Sequence, residues 1–252
     1  MINYILADYK RILTRVPRII FLVLFEAAFV GVVLHTWKRY AGNYTSVSLM
    51  DSSFSFFGLM FTYIMCLVDF IQGFSFDFRA KTIQVALGIG VSRMKVIIAK
   101  LIQITLVMLT DLMVTLGVLG VLSAIVGVTL VGHQISYLLL TGLGAILLVA
   151  CSVSLLLPLV FRTQSMLLAM IGFVILVPGF PSSLIRMASS VAPLFIQRLQ
   201  LDQYAHDNCV NMFTSNLIQG SFQLWPFIGV IAWFALGIYL TWLAFRKMEL
   251  DF

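Results

Sequence analysis

Charged side chains are scarce in this chain. Asp, Glu, Lys and Arg make up 10% of its 252 residues, whereas 61% of the residues are hydrophobic. An average soluble domain is about a quarter charged and about half apolar. A soluble fold of this length cannot bury so much apolar surface, so the composition excludes a soluble globular domain and predicts an all-α membrane protein.

Cysteine and histidine are also rare, with three residues of each. The cysteines are far apart in the chain and form no CxxC pair, and no two histidines have the spacing of metal ligands on a helix. The sequence therefore gives no support to a disulfide framework, a zinc site or an HExxH zinc peptidase.

The motifs of nucleotide binding and of serine hydrolases are missing as well. The chain contains no GxxxxGK[ST] loop and no GxSxG. Because the first of these motifs is the loop that cradles phosphates, we expect the chain to hold no nucleotide, cofactor or metal and to carry no catalytic residue. An ATP-driven activity would need a separate subunit that binds ATP and magnesium.

Apolar runs dominate what the sequence does contain. About 20 apolar residues cross the ~30 Å bilayer core as a helix. Six runs fit this length, and the predicted spans are residues 16–37, 54–76, 96–126, 135–161, 165–185 and 222–245. Ser92 is placed to cap the third helix, which would begin at Arg93 and reach about Val131.

Two further segments have amphipathic patterns that do not predict spans. Residues 2–15 alternate apolar and basic positions at helical spacing, which predicts a helix lying in the membrane surface; a frayed cytosolic tail is the alternative. Residues 178–221 are too apolar for a free loop and too broken by proline for a span. We expect short re-entrant or interfacial helices there, on the extracellular side.

The basic residues predict the orientation of the spans. With six crossings, twelve Lys and Arg would lie on one side and four on the other. The twelve are Lys10, Arg11, Arg15, Arg18, Arg79, Lys81, Arg93, Lys95, Lys100, Arg162, Arg246 and Lys247; the four are Lys38, Arg39, Arg186 and Arg198. The side rich in cations is cytosolic in membrane proteins, which places both termini in the cytosol. Because the cations flank apolar spans, they indicate topology and not a nucleic-acid interface.

Three acidic residues, Glu26, Asp69 and Asp111, fall within the apolar runs. A charge near the bilayer centre costs about 2.5–3.5 kcal/mol on insertion scales, so Glu26 and Asp111 should face protein or a wet cavity. They are candidates for a translocation path, and the alternative is a buried polar group that fixes helix packing. Asp69 is close enough to the predicted cytosolic interface to be solvated.

The most charged internal stretch lies between the second and third predicted spans. We call residues 77–92 the coupling segment. Its polar residues are Asp77, Arg79, Lys81 and Gln84, and its apolar residues are Phe78, Ile83, Val85 and Leu87. This pattern predicts a short amphipathic helix that offers charges and apolar side chains to a groove on a soluble partner. A plain charged loop is the alternative.

This stretch resembles the corresponding segment of ABC transporter type-2 permeases. The similarity is carried by FRAKTIQVALGIGVSR at residues 78–93, followed by Lys100 and Leu101. The amphipathic start, the chain end FRKMELDF, the six predicted spans and the long connection before the last span are similar too. Together these features cover essentially the whole chain.

The resemblance implies the transmembrane subunit of an ATP-driven exporter in the plasma membrane of a bacterium. Two permease subunits, identical or different, would bind two ATP-binding subunits. The contacting residues would be Asp77, Phe78, Arg79, Lys81, Thr82, Gln84, Leu87 and Arg93. Compact permeases of this kind are similar to exporters of bacteriocins, lantibiotics and other amphipathic peptides, including those that confer immunity. Extrusion of sodium or drugs by the same architecture is an alternative, as is an intramembrane enzyme that uses Glu26 and Asp111.

Overall fold

The structure is a computed structural model that describes residues 2–40, 45–79, 83, 87–88, 90–190 and 200–246. Side chains are described in these ranges except at residues 2, 54–59 and 75–79. All regular secondary structure within the described ranges is helical. The all-helical architecture expected from the composition is therefore confirmed for this part of the chain.

The first third of the chain forms two helices and one long composite helix. Helix α1 is Ile2–Leu13 and α2 is Val16–Arg39. Helix α3 (Ser46–Phe56), a π-helix that we call π1 (Phe57–Met65) and α4 (Cys66–Arg79) then follow one another without a break. The predicted second span falls on this composite helix, which begins earlier than expected because residues 46–53 are helical.

The middle of the chain contains the two longest helices. Helix α5 is Arg93–Val126 and α6 is Gly132–Thr163. Helices α7 (Met166–Leu176) and α8 (Phe180–Ser190) follow and meet at an angle of 52°. Gly179 lies at this bend with φ +77°, a left-handed backbone conformation that glycine adopts without steric cost.

The last part of the chain contains one short helix pair and one long helix. A 3₁₀ turn at Leu201–Tyr204 leads into α9 (His206–Ile218), and α10 is Leu224–Arg246. The broken segment predicted before the last span thus consists of short helices in its described parts. Residues 191–199 lie outside the described residues.

Among the described residues, four helices are long and apolar enough to cross a membrane: α2, α5, α6 and α10. The bent pair α7–α8 makes a fifth candidate if it is one broken span. The most apolar part of the composite helix, Met60–Phe74, is shorter than the others. The described residues therefore indicate a multi-pass membrane protein with at least four candidate spans, whereas they do not confirm the six predicted spans.

The ends of α5 show how the sequence sets helix boundaries. The Ser92 hydroxyl accepts a hydrogen bond from the Lys95 amide at 3.4 Å, so Ser92 caps the helix as predicted. The helix ends at Val126 instead of about Val131, because Gly127 adopts a left-handed conformation with φ +74°. The turn between α5 and α6 consequently lies just before Gly132, where α6 begins.

Helix α6 lies at the centre of the bundle and is the most buried of the four candidate spans, whereas α2 and α10 are more peripheral. Helices α9 and α10 pack closely against α6. At the crossing of α6 and α10, a Cβ atom built on Gly237 would lie 2.4 Å from the Ser154 hydroxyl. The absence of a side chain at Gly237 therefore permits the two backbones to approach.

The bundle has two ends that position the functional residues. At one end α4 and α10 finish and α5 begins, and we call it the Arg93 end. At the other end α5 finishes and α6 begins, and we call it the Gly132 end.

Candidate functional site

A buried group of charges joins α2, α4 and α5. The guanidinium of Arg18, which is 2% exposed, forms ion pairs with the carboxylates of Asp69 and Asp111. The distance from Arg18 Nε to Asp69 Oδ1 is 3.4 Å. One turn along α5, the Thr115 hydroxyl lies 2.6 Å from Glu26 Oε1 and 2.9 Å from the carbonyl oxygen of Asp111. We call these five residues the Arg18 cluster.

The Arg18 cluster links three helices, α2, α4 and α5, through buried ion pairs. One guanidinium faces two aspartates that are 1% and 0% exposed, so the loss of the arginine would leave two carboxylates enclosed by protein. Removing one partner of a buried ion pair typically costs about 3–5 kcal/mol. Arg18 therefore fixes the relative positions of α2, α4 and α5.

A second buried ion pair attaches α1 to α5. The ammonium of Lys100 is fully buried and bonds to the Asp8 carboxylate and, at 3.1 Å, to the side-chain oxygen of Gln103. Almost three turns further along α5, the hydroxyls of Tyr9 and Thr110 lie 2.6 Å apart. The N-terminal helix is thus fastened to the first half of α5 by specific polar contacts as well as by its apolar face.

These contacts correct one expectation from the sequence and show the surroundings of four other predicted residues. Asp69 is not solvated, because Arg18 and the surrounding helices enclose it. Arg18 and Lys100, counted above among the cytosolic cations, are buried inside the bundle. Glu26 and Asp111 do come near one another through Thr115, but the Asp111 carboxylate is engaged by Arg18.

A chain of phenylalanine rings lies at the Arg93 end of the bundle. Phe173 of α7 stacks on Phe70 of α4 at 5.6 Å, and Phe70 contacts Phe74 at 5.5 Å. Phe74 contacts Phe161 of α6 edge-on at 6.2 Å, and Phe161 stacks on Phe245 of α10 at 4.7 Å. All five side chains are buried. We call this set the phenylalanine chain.

The start of α5 joins the end of this chain. The Arg93 guanidinium lies 5.4 Å from the centre of the Phe245 ring and donates a hydrogen bond to the Phe245 carbonyl oxygen. Such cation–π and charge-assisted contacts are stronger when they are partly buried, as here. The first residue after the coupling segment is therefore attached to the last turn of α10.

The structure describes part of the predicted coupling segment. Asp77, Phe78 and Arg79 form the last residues of α4, and Arg93 begins α5. Ile83 is buried and Leu87 packs against the core, so these two apolar side chains of the segment lie toward the bundle. The predicted contact residues Lys81, Thr82 and Gln84 lie outside the described residues.

A half-polar cavity of about 320 Å³ opens in the half of the bundle nearer the Gly132 end. It lies between π1, α6, the bend before α8 and α9. Its polar lining consists of Thr62, Tyr63, Tyr137, Thr141, Asp207, Asn211, Thr214 and Ser215. The sequence pattern singled out none of these residues, because they are spread over three separate helices without a recognisable spacing.

Beside this cavity, Ser152, His206 and Asp207 follow one another like a hydrolase triad. The Ser152 hydroxyl lies 3.1 Å from His206 Nε2, and His206 Nδ1 lies 3.8 Å from Asp207 Oδ1. A nucleophile must reach its substrate, but Ser152 is completely buried and donates to the Leu148 carbonyl oxygen at 2.9 Å. The arrangement holds α9 against α6 and does not supply an accessible nucleophile.

The three cysteines, Cys66, Cys151 and Cys209, are buried free thiols. No group of three or more His, Cys, Asp or Glu residues that could hold a metal ion exists among the described residues.

No protein-family model matches the chain, and no curated protein matches it. The similarity to type-2 ABC permeases therefore rests on the residues of the coupling segment and on the predicted topology, and it enters below as a proposal.

Proposed function

We propose that this chain is the transmembrane subunit of an ATP-driven exporter in a bacterial plasma membrane. In this proposal it makes six crossings, with both termini in the cytosol and α1 in the membrane surface. The Arg93 end faces the cytosol, where the coupling segment binds a separate ATP-binding subunit. Two copies of each subunit form the working transporter.

The observation that supports this proposal best is the attachment of the coupling segment at both of its ends. The segment begins within the last turn of α4, shortly after Phe74, which belongs to the phenylalanine chain. It ends next to Arg93, which contacts the Phe245 ring of that chain. A displacement of the segment would therefore reach α6, α7 and α10 through direct side-chain contacts. A plain loop that satisfied only the topology rule would not need such contacts.

The Arg18 cluster extends this connection toward the middle of the bundle. Through Asp69 and Asp111, α4 and α5 are joined to each other and to α2. The two helices that flank the coupling segment would then move together relative to α6. A bundle that switches between two packed arrangements as nucleotide binds and leaves is the expected mechanism.

The apolar grooves of the bundle agree with a hydrophobic or amphipathic cargo. A groove of about 390 Å³ is lined by α5, α6, α9 and α10, almost entirely with apolar atoms. A second groove of about 310 Å³ lies between α5 and α10. Export of an amphipathic peptide fits these surfaces better than extrusion of a bare sodium ion, which would need oxygen ligands.

The geometry of the Arg18 cluster argues against the alternative of an intramembrane enzyme. It requires Glu26 and Asp111 to work as an acid pair on a substrate. The Asp111 carboxylate is instead bonded to Arg18 and is 0% exposed. In the part of the chain that is described, these acids hold helices together.

The proposal is tested by reversing charge in the coupling segment. In purified permease with its ATP-binding subunit, Arg79→Glu and Lys81→Glu should weaken association or uncouple ATP hydrolysis from cargo, with membrane insertion intact. Arg186→Glu is the matched control, since Arg186 lies on α8, well outside this segment. Unchanged coupling in both segment variants would contradict the proposal.

A further inference from the structure

The cavity near the Gly132 end is lined by a carboxylate, one of whose two oxygens has no hydrogen-bond partner. Asp207 lies in the first turn of α9, is 4% exposed and lines the cavity. Its Oδ2 atom accepts a hydrogen bond from the Ser182 hydroxyl at 2.5 Å. Its Oδ1 atom is buried and has no hydrogen-bond partner.

The backbone makes room for this carboxylate. A Cβ atom on Gly179 would lie 2.4 Å from Asp207 Oδ2, so a side chain at Gly179 would displace the acid. The oxygen of the Ser182 hydroxyl that bonds to Asp207 also lies 2.8 Å from the Gly179 carbonyl oxygen. The bend between α7 and α8 thus holds the carboxylate at the wall of the cavity.

No permanent cation neutralises Asp207 among the described residues. No Lys or Arg of the described chain forms an ion pair with it, and His206 Nδ1 is 3.8 Å from Oδ1, beyond hydrogen-bond distance. Burial lowers the pKa of His206, so its imidazole is neutral near pH 7. A buried carboxylate without a counter-ion is costly, and a cation that entered the cavity would remove that cost.

The groups that line the cavity suit an organic ammonium better than a calcium ion. A calcium ion takes six to eight oxygen ligands, commonly several carboxylates, and here there is one acid. An organic ammonium needs one carboxylate, hydroxyl or amide oxygens around it and aromatic rings nearby. Thr62, Asn211 and the two tyrosines Tyr63 and Tyr137 provide these groups. A volume of about 320 Å³ is at the small end of ligand sites, which suits a small head group.

We propose that this cavity binds the protonated amine of a small organic cation, with Asp207 as its counter-ion. The cation would be a free amine or the amine of a larger molecule whose remainder stays outside the cavity. This inference depends on the geometry of π1, α6, α8 and α9 and holds whether or not an ATP-binding subunit drives the bundle.

The test uses the full chain in lipid nanodiscs and n-butylammonium as the probe. Saturation-transfer NMR should detect binding of n-butylammonium, and 1-butanol, its neutral counterpart of similar size, should give little signal. Asp207→Asn keeps the shape and the bond to Ser182 but removes the charge, so it should weaken binding by about tenfold or more. Asp202→Asn, which alters an exposed pair with Arg186, should leave binding unchanged.

A second variant keeps the proposal testable if Asp207→Asn does not fold. Asn211→Leu puts apolar volume into the cavity from an exposed position of α9, so it should reduce binding with no change in melting temperature. Equal signals for 1-butanol and n-butylammonium would overturn the proposal. So would unchanged binding in Asp207→Asn or, where that variant does not fold, in Asn211→Leu. Full displacement of the probe by an equal concentration of sodium would also overturn it, in favour of a metal-ion site.

Discussion

At the residue scale, the Arg18 cluster holds three helices together with one guanidinium. Two aspartates from different helices share this cation, and both are enclosed by protein. Exposed pairs such as Arg186–Asp202 contribute little, because water already solvates both partners. The energetic weight of an ion pair in this molecule therefore depends on its burial.

Replacement of Arg18 tests this difference. Arg18→Met leaves Asp69 and Asp111 buried without a cation, and we expect a loss of about 3–5 kcal/mol in the free energy of unfolding. Arg186→Met, the matched control, should cost about 0–1 kcal/mol. Thermal unfolding of both variants in detergent measures the contrast. Equal melting temperatures for the two variants would show that the Arg18 cluster does not stabilise the packing of α2, α4 and α5.

The reactivity of Cys209 is a second prediction at this scale. Burial, followed by the nearby Asp207 carboxylate, raises the pKa of this thiol to about 11, so it carries almost no thiolate at neutral pH. In native protein at pH 7.5, maleimide should label Cys209 far more slowly than the exposed thiol introduced by Met187→Cys. At pH 9 Cys209 should remain the slower of the two, because its thiol is still mostly protonated. Comparable labelling rates would contradict the described position of α9.

Sequence alone could identify the acids of this cluster but not their partner. Asp69 and Asp111 are conspicuous because they interrupt apolar runs. Arg18 stands among other cations near the start of a predicted span, where a cytosolic location is the ordinary expectation. Its partners lie 51 and 93 residues away, so no local spacing could reveal the pairing.

At the element scale, close helix crossings depend on small residues. Gly237 allows α10 to approach α6 so closely that an added Cβ would lie 2.7 Å from the Ser154 backbone. Gly120, on α5, has no atom within 4 Å of such a Cβ. Substitution of Gly237 therefore measures the effect of helix packing on stability, whereas substitution of Gly120 measures the effect of helix propensity.

Alanine substitutions make this comparison. Gly237→Ala should force the helices apart and destabilise the protein by about 1–3 kcal/mol. Gly120→Ala should be neutral or stabilise it by up to about 1 kcal/mol, since alanine favours helix more than glycine does. Melting temperatures of the two variants give the answer. A stabilising Gly237→Ala would mean that α6 and α10 do not cross as described.

The elements themselves differed in how well the sequence predicted them. The start of α5 could be predicted because a serine cap has a local chemical signature, and α6 could be predicted because its apolar run is long. The π-helix Phe57–Met65 was not predicted, because an i→i+5 backbone pattern leaves no period that differs clearly from an α-helix in such an apolar run. At the bend, Gly179 lies so close to Asp207 that a Cβ atom would clash with its carboxylate, and no local spacing reveals this contact because the two residues are more than twenty positions apart.

At the scale of the whole molecule, the number of crossings determines which surfaces face the cytosol. The described part of the chain contains four long candidate spans and one bent pair, and the composite helix α3–π1–α4 decides whether the total is six. Charge counting could predict orientation from the sequence, since it needs only the approximate ends of the spans. It could not predict the bent pair, whose two halves are set by tertiary contacts.

Cysteine accessibility in intact cells tests the predicted six crossings. The thiols introduced by Met187→Cys and Gln164→Cys occupy exposed positions on opposite sides of the predicted fifth span. An impermeant maleimide should label the first in intact cells and the second only after permeabilisation. The native cysteines are buried, so background labelling should be low. The opposite labelling pattern would show that the orientation is the reverse of the predicted one.

The central claim is that the coupling segment contacts an ATP-binding subunit, and site-specific crosslinking in the cell tests it most directly. A photoreactive benzoylphenylalanine in place of Lys81 should capture a protein that contains a GxxxxGK[ST] loop, identified by mass spectrometry, whereas the same residue in place of Arg186 should not. Capture of such a protein only from position 186, or of no nucleotide-binding protein from position 81, would contradict the account.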